Sequence, residues 1–168
     1  MSVGQQLVDE AIGLSRGVLS VCFRCRPEGW KGEDTERPGV RLAEAIEAEA
    51  QKRGLDLTLL RDVRCMSQCK RPCVIAFSGQ GKFTYVFGDL DPECHASDIL
   101  DAFELYASRA DGFMERFERP EVMRAGVLGR VPPLGDAARL VEPRPAAFDK
   151  NPNTPVPAPD AAGFRQTT

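Results

Sequence analysis

Five of the six cysteines of this chain fall in two short groups, and this clustering constrains the protein more than any other feature. Cys22 and Cys25 are separated by two residues, and a later group consists of Cys65, Cys69 and Cys73. Thiolates two or three residues apart on a turn can face one metal centre without straining the backbone. Two such turns at neighbouring strand ends would therefore form a four-sulfur site, which suits either a tetrahedral zinc ion or a 2Fe–2S cluster.

The composition and the N-terminal sequence indicate the compartment. With 22 basic and 25 acidic side chains, the formal charge of −3 lacks the clustered basic excess of a nucleic-acid-binding protein. Residues 1–20 lack the basic start and apolar run of a secretory signal, and no window reaches the roughly 18 apolar residues of a membrane helix. We therefore expect a cytoplasmic protein, in which clustered cysteines are more often metal ligands or redox thiols than disulfides.

The prolines mark a domain boundary near the C-terminus. Eight of the 13 prolines lie between Pro132 and Pro159, where large apolar side chains are scarce. Such a segment cannot bury enough apolar surface to offset its ordering entropy. We predict an N-terminal extension (1–18), a folded domain (19–132) and a disordered proline-rich tail (133–168).

Hydropathy patterns within the domain predict an α/β fold. Short apolar or alternating runs are typical of strands, and apolar residues at i and i+4 are typical of helices. The predicted strands are 18–21, 55–59, 74–77 and 83–87, and the predicted helices are 38–53, 97–109 and 119–127. Ser97 is the expected N-cap of the second helix. The order of these elements predicts an α/β sandwich built on one mixed sheet.

The second cysteine group and the residues after it resemble the thioredoxin-like 2Fe–2S ferredoxins. The similarity is carried by Cys65-x3-Cys69-x2-Pro72, an apolar strand, Gly79, Gly81 and Tyr85-x2-Gly88. More narrowly, the first cysteine pair and three phrases are similar to a family of small bacterial predicted metal-binding proteins, some associated with cobalamin-synthesis genes. The phrases are CKRPC (69–73), KFTYVFGDLDP (82–92) and ERPE (118–121). The resemblance covers about residues 19–133 and implies a thioredoxin-like sandwich with a central mixed sheet flanked by helices.

The resemblance also implies the ligand set of a 2Fe–2S cluster, namely Cys22, Cys25, Cys65 and Cys69. The chain departs from the ferredoxin pattern in the narrow spacing of its first pair and in Cys73, which stands where those ferredoxins have an apolar residue. These departures leave open which four of the five clustered cysteines bind, with Cys73 as a substitute ligand and zinc as an alternative metal. Pro72 is either the cis-proline of a thioredoxin-like fold or part of an ordinary trans turn.

Three functions follow from the cysteine pattern. The first is a 2Fe–2S electron carrier or redox adaptor, which needs no substrate pocket and no catalytic residue of its own. The second is a zinc-binding interaction or metal-handling module held by the same four cysteines. The third is a dithiol oxidoreductase using Cys22 and Cys25. It ranks last because a long loop separates Cys25 from the first helix, whereas the CxxC of thioredoxins opens a helix directly.

Basic residues beside the cysteines indicate a partner surface, unless they are plain surface charge. As partner-binding residues we predict Arg24, Arg26, Lys70 and Arg71. Their charges would stabilise a reduced cluster and steer an acidic redox partner protein. We expect the protein to bind neither nucleic acid nor a membrane. The sequence does not decide between a monomer and a homodimer.

Two further features have simpler interpretations. Cys94 and His95 lie well beyond the cysteine loop, and we expect them to hold no metal. The alternating Phe83, Tyr85 and Phe87 are expected to form the buried face of a strand.

Overall fold

A five-stranded mixed sheet forms the centre of the computed structural model, which describes residues 16–135 and 138–141. The strands are β1 (Val18–Cys22), β2 (Leu60–Val63), β3 (Ile75–Ser78), β4 (Thr84–Phe87) and β5 (Val127–Val131). The helices are α1 (Pro38–Arg53), α2 (Ala96–Ser108) and the short α3 (Glu121–Ala125). The strand order is β2-β1-β3-β4-β5; β1 and β2 are parallel, and the other neighbouring pairs are antiparallel.

This arrangement confirms the predicted α/β class and its central mixed sheet. Helix α1 connects the parallel strands β1 and β2, and an antiparallel hairpin, β3–β4, precedes α2. The helices α1 and α2 pack against each other over the same face of the sheet. The cysteine loop between β2 and β3 holds no helix.

Helix α1 has the bounds that its sequence predicts. Pro38 occupies the first turn, where the missing N–H costs nothing. Leu42, Ile46 and Ala50 are buried at i, i+4 and i+8. The helix ends at Gly54, whose φ of 68° is the left-handed conformation that glycine adopts without strain.

Strand alternation separates the helix-covered core from the cysteine site. On β1, Leu19 and Val21 point into the main core together with Phe77 and Tyr85. Cys22 is therefore directed to the other side, where it packs with Cys25 and Val74 in a second small apolar cluster. The prediction that Phe83, Tyr85 and Phe87 form a buried strand face is confirmed.

Three predictions of local structure are wrong. Residues Leu57–Leu59 form a short 3-10 helix, because the Asp56 carboxylate accepts bonds from the backbone N and hydroxyl of Thr58 and thereby competes with strand pairing. Strand β2 begins only after this turn. Helix α2 has His95 rather than Ser97 at its N-cap. Strand β5 was not predicted, because this short segment becomes a strand only by pairing with β4.

The flanks of the domain are described only in part. Residues 1–15, 136–137 and 142–168 lie outside the described residues, so the predicted extension and disordered tail stay predictions. In the described part of the tail, the Arg139 guanidinium lies 4.4 Å from the centre of the Phe113 ring and 3.7 Å from carboxylate oxygens of Asp111 and Glu115. No helix within 16–135 and 138–141 is both long enough and apolar enough to cross a membrane.

Candidate metal centre

The first cysteine pair lies on a tight turn at the end of β1. The backbone N of Cys25 donates to the carbonyl of Cys22 at 3.2 Å, which closes the turn. The backbone N of Cys22 donates to Val74 O at 2.9 Å, and Gly39 N donates to Cys25 O at 3.1 Å. The turn is thus held from both sides, by the start of β3 and by the start of α1.

The first turn of helix α1 packs directly against the backbone of this cysteine turn. A Cβ atom at Gly39 would lie 2.4 Å from the Cys22 carbonyl oxygen and 2.8 Å from the backbone N of Cys25. Only glycine therefore fits at this position without a shift of the backbone. The close approach directs the positive end of the helix dipole toward the cysteine turn, where it would stabilise thiolate charge.

The side chains of this pair are buried, with 4% of Cys22 and 3% of Cys25 exposed. They pack with Val74, which lies directly before β3. Burial, with a smaller contribution from the Cys22 side chain, raises the pKa of Cys25 to about 12. A dithiol oxidoreductase needs an accessible attacking thiol, and both Cys22 and Cys25 are buried, so this burial disfavours the dithiol oxidoreductase.

The second cysteine pair lies on an exposed loop after β2. Cys65 and Cys69 are both solvent-exposed, and the backbone N of Ser67 donates to the Cys65 sulfur at 3.3 Å. Ser67 has a φ of 58°, so the loop turns sharply between the two cysteines. The side chain of Met66 packs against the cluster of Cys22, Cys25 and Val74 and so joins the two loops.

One cavity of about 1070 Å³ connects both cysteine pairs. Its lining includes all four predicted ligands, Cys22, Cys25, Cys65 and Cys69. Within 16–135 and 138–141, no three cysteine, histidine or acidic side chains are grouped closely enough to hold a metal ion. The four thiols thus line one cavity without being grouped closely enough for a common coordination sphere, which would need the two loops to come closer together.

The other two cysteines lie outside this cavity. Cys73 is buried in the main core on the helix side of the sheet, and burial raises its pKa to about 11. Cys94 is exposed before α2. His95 Nδ1 accepts a hydrogen bond from the backbone N of Asp91 at 2.9 Å. The peptide bond before Pro72 is trans, since the described residues contain no cis peptide bond; the cis interpretation is wrong.

The cavity is strongly basic. Its charged lining consists of one carboxylate, Glu28, and five cations, Arg24, Arg26, Arg37, Arg64 and Lys70. Arg71 was also predicted to be a partner-binding residue. It is absent from the cavity lining and forms a salt bridge with Asp89 instead. Arg64 was not predicted, although it precedes Cys65 just as Arg24 precedes Cys25.

Two further lining residues were missed by sequence reasoning. Trp30 is half-buried in the cavity wall, and the Arg37 guanidinium lies 5.9 Å from the centre of its ring. Arg37 is itself buried; it pairs with Asp34 and donates to the carbonyl of Arg24 at 3.3 Å. No motif marks these residues, and the signal available was only their position between the first cysteine pair and α1.

Comparison with known protein families identifies the family of this chain. A model of the family described as "Protein of unknown function (DUF1636)" matches residues 19–133, which is more than half of the chain. The chain belongs to this family. The matched range of this DUF1636 protein contains all six cysteines and the whole basic cavity lining.

Comparisons with curated proteins and with solved structures add little to the family assignment. No curated protein matches the chain. Among solved structures, a thioredoxin-like 2Fe–2S ferredoxin from Aquifex aeolicus is similar, with 20% sequence identity and a TM-score of 0.43. The match covers 70% of this chain and 94% of the ferredoxin chain. The assignment of a metal centre in this DUF1636 protein therefore depends on its own geometry.

The donor set of the cavity fits a thiolate-bound metal centre. Four thiols on two loops line one space, and the backbone N–H of Ser67 donates to the Cys65 sulfur. Hydrogen bonds to sulfur and nearby positive charge both stabilise a cluster of net negative charge.

Proposed function

We propose that this chain binds a 2Fe–2S cluster through Cys22, Cys25, Cys65 and Cys69 and acts as an electron carrier or redox adaptor. The observation that carries the proposal is that one basic cavity is lined by both cysteine pairs. When bound, the cluster would supply one-electron chemistry. The protein would hold it close to the surface, since two of the four ligands are exposed.

The protein's own contribution would be to fix the ligands and adjust the potential. Val74 holds the first turn by accepting a hydrogen bond from Cys22 N, while Ser67 N donates to the Cys65 sulfur. The Ser67 donor, the start of α1 and the surrounding cations favour the more negative, reduced state. Outer-sphere transfer would need no substrate pocket. A link to cobalamin metabolism stays a prediction from the family resemblance.

Anaerobic purification tests this function. We expect a coloured protein with iron and acid-labile sulfide in equal amounts. Cysteine-to-serine changes at 22, 25, 65 and 69 should each abolish cluster assembly. Cys94→Ser is the matched control, because Cys94 is exposed and lies outside the cavity, and it should leave the cluster content unchanged.

Two results would contradict the proposal. A colourless protein with one zinc ion would support the zinc-binding module in its place. Loss of the cluster in Cys73→Ser together with its retention in Cys25→Ser would overturn the ligand assignment. Cys73 lies in the main core, so the folded state of that variant must be checked by circular dichroism.

A further inference from the structure

Four exposed cations around the cavity are adjacent in sequence to the proposed ligands. Arg24 and Arg26 flank Cys25, Arg64 precedes Cys65, and Lys70 follows Cys69. All four are exposed and line the cavity. Positive charge thus reaches the same opening from both cysteine loops. We refer to Arg24, Arg26, Arg64 and Lys70 as the basic rim.

The basic rim is unpaired in the part of the chain that the structure describes. None of its four side chains forms a salt bridge there. By contrast, several arginines on other surfaces are paired with carboxylates, namely Arg41, Arg53, Arg71 and Arg109. Clustered like charges repel one another, and an incoming anion relieves this repulsion.

The rim also differs in sign from the chain as a whole. The complete sequence carries a formal charge of −3, and Glu28 is the one carboxylate in the cavity lining. A local positive region on a chain of net negative charge orients an acidic partner toward that region and raises its association rate.

We propose that the basic rim is the docking surface of an acidic partner protein, whose carboxylates contact the cations of both cysteine loops. The inference rests on the proposed function only for the partner's role as electron donor or acceptor. A protein fits better than a nucleic acid, because the cations surround a cavity instead of following a stripe.

The docking surface can be tested with a fluorescein-labelled decaglutamate peptide as the probe. Binding is measured by fluorescence anisotropy, and we expect the affinity to fall about tenfold between about 50 and 300 mM salt, because salt screens exposed charges. Arg64→Gln/Lys70→Gln should lower the affinity about fivefold at low salt. The matched control is Lys52→Gln, an exposed change near the far end of α1, which should leave binding unchanged.

Three results would overturn the docking proposal. They are the absence of peptide binding at low salt, equal binding by the rim variant, and tighter binding of a single-stranded thymidine oligomer through the same cations. Iron and sulfide are measured on the same samples, so the two proposals fail separately. A clustered protein that does not bind the peptide refutes the docking surface alone, whereas peptide binding by a protein unable to assemble a cluster refutes the proposed function alone.

Discussion

The six cysteines differ in burial, and this difference separates their roles. Cys22, Cys25 and Cys73 are buried, whereas Cys65, Cys69 and Cys94 are exposed. Of the exposed three, only Cys94 lies outside the cavity lining. Exposure therefore makes thiol reactivity a direct probe of the ligand set.

Thiol titration should distinguish the metal-free from the loaded protein. Without metal, we expect Cys65, Cys69 and Cys94 to react quickly with a thiol reagent and the buried three to react slowly, because burial restricts access and raises thiol pKa values. In the loaded protein only Cys94 should react quickly. Rapid labelling of Cys65 or Cys69 in cluster-containing protein, read by peptide mass spectrometry, would contradict the assignment.

A single methyl group at Gly39 should damage the cysteine turn. Gly39→Ala places a Cβ within 2.4 Å of the Cys22 carbonyl oxygen, so α1 or the turn must shift. We expect the free energy of unfolding to fall by about 1–3 kcal/mol and cluster content to fall with it. Urea unfolding and iron analysis measure the two effects. Gly129→Ala is the control, since no atom lies within 4 Å of its Cβ position, and an equal loss there would refute the explanation.

At the scale of elements, α2 is anchored by a buried lysine from the β3–β4 hairpin. The Lys82 ammonium donates to the carbonyls of Tyr106, Ala107 and Arg109 at the end of the helix. It also lies 5.4 Å from the centre of the Tyr106 ring. Burial lowers its pKa, as expected for a cation removed from water. The ammonium thus supplies hydrogen bonds to carbonyl groups that the C-terminus of a helix leaves unpaired, and its positive charge is favourable at that end of the helix dipole.

Removing this charge should destabilise the domain without touching the metal centre. We expect Lys82→Met to lower the free energy of unfolding by about 1–3 kcal/mol, because buried carbonyls lose their donor. Lys52→Met, at an exposed position, should change it by less than about 0.5 kcal/mol. Denaturant titration of both variants measures the difference, and equal stability would show that the ammonium is not a structural cap.

At the scale of the whole molecule, the single tryptophan reports on the cavity that joins the two loops. Trp30 is the only tryptophan of the chain and lies in the cavity wall. Its emission therefore comes from one known position. A 2Fe–2S cluster absorbs across the near-ultraviolet and visible range, whereas zinc does not.

Fluorescence should therefore discriminate between the two metal centres. We expect strong quenching of Trp30 when the cluster is assembled, because the cluster accepts its excitation energy, and little quenching with zinc. In Cys65→Ser/Cys69→Ser the quenching should be lost. Equal emission of the cluster-loaded and metal-free proteins would place the cluster away from this cavity.

The sequence by itself determined the features that depend on near neighbours. Helix α1 has its predicted bounds because Pro38, the buried Leu42 and Ile46, and Gly54 act within a few residues of one another. The buried face of β4 also follows from local alternation. The spacing of each cysteine pair is a local property too, so the candidate ligands could be named before the fold was known.

Only the tertiary structure decided which distant groups meet. Strand β5 exists because it pairs with β4, and Cys73, two residues before β3, is buried in the main core. The partner of Arg71 is Asp89 rather than the cavity, whereas Arg64 faces the cavity without a carboxylate partner among the described residues. Strand pairing, burial and ion pairing join residues far apart in the chain, and a local pattern carries no information about which of those residues the fold brings together.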